Sequence, residues 1–398
     1  MDYLKKLSAF IMFLSLHHAQ SSSFLVLERT ILDSIFRGYD SRIRPTGKNG
    51  TGPLVVTINT YIRSLSNIDD VKMVYDAQLT FRQSWVDERL KYDRVGFDYV
   101  TLSDPEKLWL PDVFFSNEDT GHFHNMIRPN VLARIYPDGT ILYSMRISLR
   151  LFCPMDLRSY PMDKQTCKII CASYAYTKDN LIFVWKDQDP VQISKNVISY
   201  LPKFTMDKFY TDYCNSKTNT GEYSCVYLAM EFSRNFFYYF EHCYMPTIAL
   251  VLLSWVVFWL NPRFTNIRLG IWFGILLSLT IVITSIHPNN LEVSYTKAID
   301  VWMDACICFI FCVLLELCLV SNAVTKEENA YVLKNQSASD ESATEKMDKF
   351  RSYNTLPLRW LNKYSTRAQR IDVLSRFLFP AMFAFFNFVY WITYAAKR

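Results

Sequence analysis

Glycine is scarce, with only 10 residues in a chain of 398. That excludes a collagen-like or glycine-rich protein, and no loop has the glycine spacing that cradles a dinucleotide or a phosphate. Neither Gly-x-Ser-x-Gly nor His-Glu-x-x-His occurs. With no catalytic constellation to build on, an enzyme is not expected, and neither is a cofactor. Charge is thin too, at 20% of residues, and the net balance of +5 is mild. Nucleic-acid binding needs its basic residues gathered into a patch, so no nucleic-acid partner is expected. What the chain does have is apolar surface: 50% hydrophobic residues, 16% aromatic, with 29 Phe and 25 Tyr. Such a composition rules out disorder. The length leaves room for about two to three domains.

The apolar residues are unevenly spread. Up to about residue 235 the chain is mixed and polar. Beyond it, Cys243 to Leu260, Leu269 to Leu291 and Phe377 to Ala396 carry no formal charge, and Ala305 to Val320 carries only Glu316. Each is long enough for a membrane helix, giving four expected spans. The N-terminus reads as a secretory signal over residues 1–20: Lys5 and Lys6 precede an apolar run, Leu7 to Leu16, too short to cross a bilayer. The expected layout is an extracellular domain over 25–235, three spans within 236–320, a cytoplasmic loop over 321–370 with an amphipathic stretch from Trp360, and a fourth span within 371–398. The tight link Asn261-Pro262-Arg263 makes the first two spans antiparallel neighbours. Arg263 and Arg268 beside it agree with a cytoplasmic position. Asn49-Gly50-Thr51 is a glycosylation sequon on the outer side.

Within the polar half, short Val-, Ile- and Thr-rich runs alternate with turn residues. Leu54 to Ile62, Val71 to Phe81, Cys167 to Tyr176, Leu181 to Trp185 and Tyr223 to Phe232 read as strands. Pro137-Asp138-Gly139 sits between two more, Asn130 to Ile135 and Thr140 to Leu151, as a hairpin turn. These features predict an antiparallel β-sandwich. Of the cysteines, Cys153, Cys167, Cys171, Cys214 and Cys225 lie in this half, where disulfides are permitted. Cys153 and Cys167 bracket Tyr160-Pro161-Met162-Asp163, a small loop that a disulfide would close, with Pro161 able to take a cis bond. Cys171 is expected as a buried free thiol. His122-Phe123-His124 offers two imidazoles, too few for a metal site, so a solvated loop is expected there.

The Cys153-to-Cys167 stretch resembles the signature loop of the Cys-loop, or pentameric, ligand-gated ion channels, and Trp109-Leu110-Pro111-Asp112 resembles a second marker of that family. Within it the chain looks most like the invertebrate glutamate-gated chloride channels. Tyr213 to Cys225 resembles their ligand-capping loop, which implies a second disulfide, Cys214 to Cys225. Val293 to Trp302 resembles the segment linking spans two and three. The resemblance implies a β-sandwich extracellular domain followed by a four-helix membrane bundle, assembled as a homo- or hetero-pentamer in the plasma membrane, with a synaptic role, membrane lipid around it and the N-terminus outside.

Glutamate carries two carboxylates and an ammonium, so its site needs fixed cations and an aromatic surface. The guanidinium fork of arginine matches a carboxylate in two hydrogen bonds. Arg63 and Arg82 match the family's carboxylate-binding arginines and Ser144 the hydroxyl that assists them. Ser173 and Tyr174 match a loop that meets the ammonium, and Thr220 and Tyr223 match the lid. The resemblance places these two groups on neighbouring subunits. Coupling to the pore is expected through Pro161, Val293 and Tyr295.

The second span departs from the pattern. Where anion-selective members have Pro-Ala-Arg, this chain has Asn266-Ile267-Arg268. Leu277 matches the hydrophobic gate, but Gly270, Gly274 and Ile281 replace pore-facing threonines. A pore lined by apolar groups tends to dewet. The expected function is a glutamate-opened chloride channel subunit. The alternatives are a non-conducting or modulatory partner subunit of a heteromer, and a ligand-binding membrane receptor that does not gate. Asp304, where avermectin-sensitive relatives keep a small residue, predicts a weak response to that drug.

Overall fold

The computed structural model describes residues 26–47, 50–93, 98–102, 104–195, 201–286, 293–338 and 366–395. The signal sequence, Asn49 and the start of the stretch from Trp360 lie outside these residues. The chain divides into two compact units. One comprises the chain up to Met155 and Gln165–Phe232; the other comprises Asp156–Lys164 and Ser233–Arg398.

The first unit opens with a helix over 26–35, followed by Gly38 at φ +76°. Its larger sheet contains β1 (Leu54–Asp69), β2 (Val74–Val86), β3 (Val100–Leu102), β5 (Glu118–Phe123), β6 (Val131–Ile135), β7 (Thr140–Phe152), β9 (Leu181–Trp185) and β10 (Val191–Ile193), and β4 (Val113–Phe115) lies in the other sheet. The main path runs β10-β1-β2-β7-β6-β3. The second sheet has the order β11-β14-β8-β4, with β8 (Lys164–Ser173), β11 (Phe204–Tyr213) and β14 (Cys225–Arg234). A small hairpin, β12 (Ser216–Thr218) with β13 (Gly221–Tyr223), stands apart.

Strand alternation sets the two faces of the larger sheet. In β2, Tyr75, Ala77, Leu79, Phe81 and Trp85 are all buried, whereas Asp76, Gln78, Thr80, Arg82 and Ser84 point to the other face. Burying each such large apolar side chain contributes about 1.5–3 kcal/mol before entropy is subtracted. The expected hairpin between β6 and β7 is present: Gly139 sits at φ +81°, and an added Cβ would lie 2.6 Å from the Asp87 carbonyl oxygen.

Three sequence readings change. The sandwich is not wholly antiparallel, because β9 and β10 both pair parallel to β1. The chain reaches them from β8 in the other sheet, so the crossover between sheets does what a helix does in a βαβ unit. The strand read from Val71 begins at Val74 instead. Asp69 Oδ1 accepts from the Val71 and Lys72 amides and closes a turn there. Finally, His122-Phe123-His124 is not a solvated loop: His122 and Phe123 end β5, which pairs with β7, and neither β5 nor β11 was legible, since their residues are almost all exposed and show no alternation.

The second unit contains four helices long and apolar enough to cross a membrane: Phe236–Trp259, Thr265–Ser285, Ala298–Leu333 and Arg367–Ala395. The third helix continues to Ala338, well past the 320 at which a loop was expected, and the fourth starts at Arg367, ahead of 371. Leaving the membrane does not end a helix. The residues after Val320 include Ala, Lys, Glu and Leu and contain no Pro or Gly before 338, so the backbone has no reason to break.

Candidate functional site

Two separate groups of candidate ligand residues emerge in the first unit, one on the larger sheet and one between the second sheet and the small hairpin. The first is on the outward face of β1, β2 and β7. Register brings Arg82 opposite both Asn59 and Ser144, and Thr80 opposite both Tyr61 and Arg146. A β-bulge between Ile62 and Ser64 leaves Arg63 as the extra residue and turns it outward, exposed. Arg63 Nε donates to Thr80 Oγ1 at 2.6 Å, Arg82 donates to Asn59 Oδ1 at 2.8 Å and to Gln192 Oε1 at 3.3 Å, and Arg146 donates to Gln78 Oε1 at 2.9 Å. Every one of these acceptors is uncharged. Among the described residues none of the three guanidinium groups pairs with a carboxylate, and Arg146 Nε is buried without a partner. Three cations on one face without a counter-ion make a surface suited to a carboxylate.

Sequence reasoning found Arg63, Arg82 and Ser144 but missed Thr80 and Arg146. The available signal was strand period: Thr80 and Arg82, like Ser144 and Arg146, are two apart and so share a face. His124 adjoins this group. Its Nε2 is 2.8 Å from Ser148 Oγ and 3.2 Å from Gln78 Nε2. Desolvation first, then the charges of Arg146, His122 and Arg63, hold its pKa below the ordinary imidazole value. The His122 and His124 rings are 5.5 Å apart, and no cluster able to hold a metal ion occurs among the described residues.

The second group lines a cleft of about 710 Å³ between β8 and the β12–β13 hairpin. Ser173, Tyr174, Thr220 and Tyr223 all line it, together with Phe114. Trp109 is buried against Trp85, which places Asp112 beneath the turn after β8. Asp112 accepts from Ser173 Oγ at 2.9 Å and from the backbone amides of Tyr174 and Tyr176 at 3.1 and 3.4 Å. The turn is thereby held open, with the Tyr174 ring 77% exposed and edge-on to Phe114 at 5.6 Å. Cys214 and Cys225 form a disulfide at the base of the hairpin. Above it, Thr220 Oγ1 is 2.9 Å from the Tyr223 hydroxyl, and Lys178 Nζ is 3.0 Å from Glu222 Oε1. Gly221, at φ +147°, lets the hairpin pass close to Thr177, whose Cγ2 would be 2.7 Å from an added Cβ.

The Cys153–Cys167 disulfide is also present, and the Tyr160–Pro161 bond is cis. Cys171 is a buried free thiol. The loop Asp156–Lys164 belongs to the membrane unit and meets the segment before the third span. Tyr295 Oη accepts from the Leu157 amide at 3.0 Å, and the carbonyls of Arg158 and Tyr160 accept from Ala298 and Ile299 at 2.9 and 3.1 Å. The first free amides of the third helix are thus capped by the loop. Within the same unit, Asp163 and Arg234 form a buried two-bond ion pair, at 2.7 and 3.0 Å. Val293 is half-buried at the start of this linking segment.

On the second span, Trp272, Ile275 and Leu279 face inward, and Trp272 Nε1 donates to the Ile310 carbonyl at 2.9 Å. Asn266, Ile267, Gly270, Gly274, Leu277 and Ile281 are exposed on the subunit. Arg268 is not with them. It is 1% exposed and turned into the bundle, where Asp372 on the fourth span takes up its charge. An arginine with a carboxylate partner inside an apolar bundle is held there rather than on the exposed stripe.

Comparison with known sequences settles the family. The neurotransmitter-gated ion-channel ligand binding domain matches residues 28–236, and the neurotransmitter-gated ion-channel transmembrane region matches residues 243–358. The chain belongs to the neurotransmitter-gated ion-channel family. It is 43% identical to the glutamate-gated chloride channel of Drosophila melanogaster, over 96% of this chain and 95% of that one. It is 35% identical to the glutamate-gated chloride channel subunit beta of Haemonchus contortus, over 92% and 90%. The protein is therefore a multi-pass membrane protein with an extracellular N-terminal domain, a ligand-gated channel subunit and not an enzyme.

Proposed function

We propose that this chain forms pentamers, alone or with related subunits, that open to chloride when L-glutamate binds between neighbouring extracellular domains at a plasma membrane, including synapses. The observation that carries this reading is the set of three guanidinium groups, Arg63, Arg82 and Arg146, on one face without a carboxylate partner among the described residues. The names of both relatives support glutamate and chloride. The arginine face and the aromatic cleft lie on different sheets. A dicarboxylate amino acid would bridge them if one subunit supplied Arg63, Arg82 and Ser144 and its neighbour supplied the cleft. The Tyr174 ring and the Ser173 carbonyl would then meet the ammonium, the ring contributing about 0.5–2 kcal/mol. Thr220 and Tyr223 would close over it.

Agonist shifts the closed–open equilibrium only by its differential affinity for the two states. The lid closes in the open-favouring state, and the change passes through the loop around Pro161 to Tyr295, Val293 and the second span. Asn266, Ile267, Gly270, Gly274, Leu277 and Ile281 line the permeation path. None of these six positions carries a side-chain hydroxyl, and the loss of threonine at three of them, Gly270, Gly274 and Ile281, favours a second reading. In it the subunit binds glutamate but conducts only beside a partner with a more polar second span.

Expression of the chain alone in oocytes, with surface labelling, tests both. A glutamate-evoked current reversing at the chloride potential is expected. Surface protein that binds glutamate but passes current only on co-expression selects the second reading. Binding without current in any combination leaves a receptor that does not gate.

A further inference from the structure

The inner end of the membrane bundle contains a charge cluster for which channel function as described gives no role. Arg268 on the second span places its terminal nitrogens on both oxygens of Asp372 on the fourth, at 3.0 and 2.6 Å. One of them also donates to the Leu260 carbonyl at the end of the first span, at 2.6 Å. Glu316 on the third span adjoins both Asp372 and Arg268. Arg268, Asp372 and Glu316 are 1%, 1% and 5% exposed. All four spans thus meet at one buried cluster.

One guanidinium and two carboxyl groups leave one negative charge in excess if both acids are ionised. Asp372 already takes both terminal nitrogens of Arg268. Among the described residues no donor reaches either oxygen of Glu316, and Arg268 Nε has no acceptor. A bare carboxylate without donors, beside a second carboxylate and away from water, is the costliest state available to it. A proton on Glu316 removes the excess charge and supplies an O–H that can donate to Asp372, as in other carboxyl pairs that share one proton. The Asp372 side of the pair borders an open cleft. This cleft of about 270 Å³, lined by Leu260, Asn261, Gln369, Asp372 and Arg376 among others, lies beside the link between the first two spans, on the cytoplasmic side. Arg376 borders this cleft, but its guanidinium is held by the Phe258 carbonyl at 3.1 and 2.9 Å.

We infer that Glu316 and Asp372 form a buried proton-binding site that exchanges with the cytoplasm through this cleft and ties the inner end of the pore helix to the outer spans. The folded bundle then binds one proton more than the separated chain at neutral pH. Its stability therefore falls as cytoplasmic pH rises.

The test uses the full-length protein in lipid nanodiscs and needs no current, so a silent channel does not bear on it. Infrared spectra of the wild type at neutral pH are expected to show a protonated-carboxyl C=O band that fades at alkaline pH. Glu316→Gln abolishes the band. Asp372→Asn abolishes it as well, because Glu316 then ionises as the partner of Arg268. Thermal unfolding of the wild type shifts to lower temperature as pH rises, and Glu316→Gln flattens that dependence. A wild type without the band, a band that survives Glu316→Gln, or an equal pH slope in both proteins would overturn the proposal.

Discussion

Arg82 donates to Asn59 and Gln192, and neither acceptor carries a charge. Its position is therefore fixed while its charge stays available. Lysine keeps the charge but loses the planar fork. Arg82→Lys should lower glutamate affinity about 10- to 100-fold, the worth of a charged hydrogen bond of about 1.5–3 kcal/mol. Surface expression should not change, and competition binding on intact cells checks both. His124 gives a second prediction. Desolvation and the neighbouring cations hold its proton affinity below that of a free imidazole. A bound carboxylate adds negative charge beside Arg63 and Arg146 and so raises the proton affinity of the ring. Linkage makes the effect mutual: apparent glutamate affinity should rise as external pH falls through the histidine range. Folding stability moves the other way, because the folded ring takes up a proton less readily than the unfolded chain does. Concentration–response curves across external pH, with His124→Gln losing the dependence, are the check. Arg63 and Arg82 were legible in the sequence because they match the carboxylate-binding arginines of the family that the chain resembles. Arg146 and Thr80 were not, since their importance arises only from cross-strand register, and Asp112 stood out as part of a marker without showing that it holds the turn above it.

The second span shows what a single helix can and cannot reveal in advance. Its uncharged run was plain in the sequence, and so was the stripe from Asn266 to Ile281. The fate of Arg268 was not, because its partner Asp372 is 104 residues away, at the start of the fourth-span segment and just ahead of its uncharged run. The ends of the third and fourth helices were equally hidden, since hydropathy reports the membrane and not the helix. Gly270 and Gly274 lead to a prediction at this scale. An added Cβ at either meets nothing within 4 Å, so no packing in the subunit requires glycine. Replacing glycine in a helix interior recovers a few tenths of a kcal/mol in propensity even for threonine. Gly274→Thr should leave the fold intact and add a hydroxyl to the exposed stripe. Unitary chloride current should rise, measured in single-channel patches. An unchanged unitary current would show that wetting of this stripe does not limit conduction.

Across the whole molecule, the chain passes between its two units at three places: after Met155, after Lys164 and after Phe232. The Cys153–Cys167 disulfide ties together the strands on either side of the first two crossings. Closing so small a loop removes chain entropy from the unfolded state, about 3 kcal/mol in the chain-entropy account. What lies beyond the disulfide is held by the membrane unit: Asp163 by Arg234, and Leu157 by Tyr295. The sequence made the layout of a β-rich half, a disulfide loop and four spans readable. It did not show that the loop carbonyls cap the third helix, because a backbone hydrogen bond leaves no residue signature. The neighbouring bond from the Leu157 amide to Tyr295 sets the last prediction. Tyr295→Phe removes the acceptor for the Leu157 amide but keeps the ring beside Arg158. Leu157 is fully buried, so its amide is left without a partner, at a cost of about 1–3 kcal/mol. If the linking segment moves relative to the loop on opening, that cost falls unequally on the two states. Glutamate should still occupy the receptor in radioligand binding, while maximal current per surface receptor falls. Equal maximal currents in wild type and Tyr295→Phe would place the route from ligand to pore elsewhere, leaving the buried Asp163–Arg234 pair as the contact to break next.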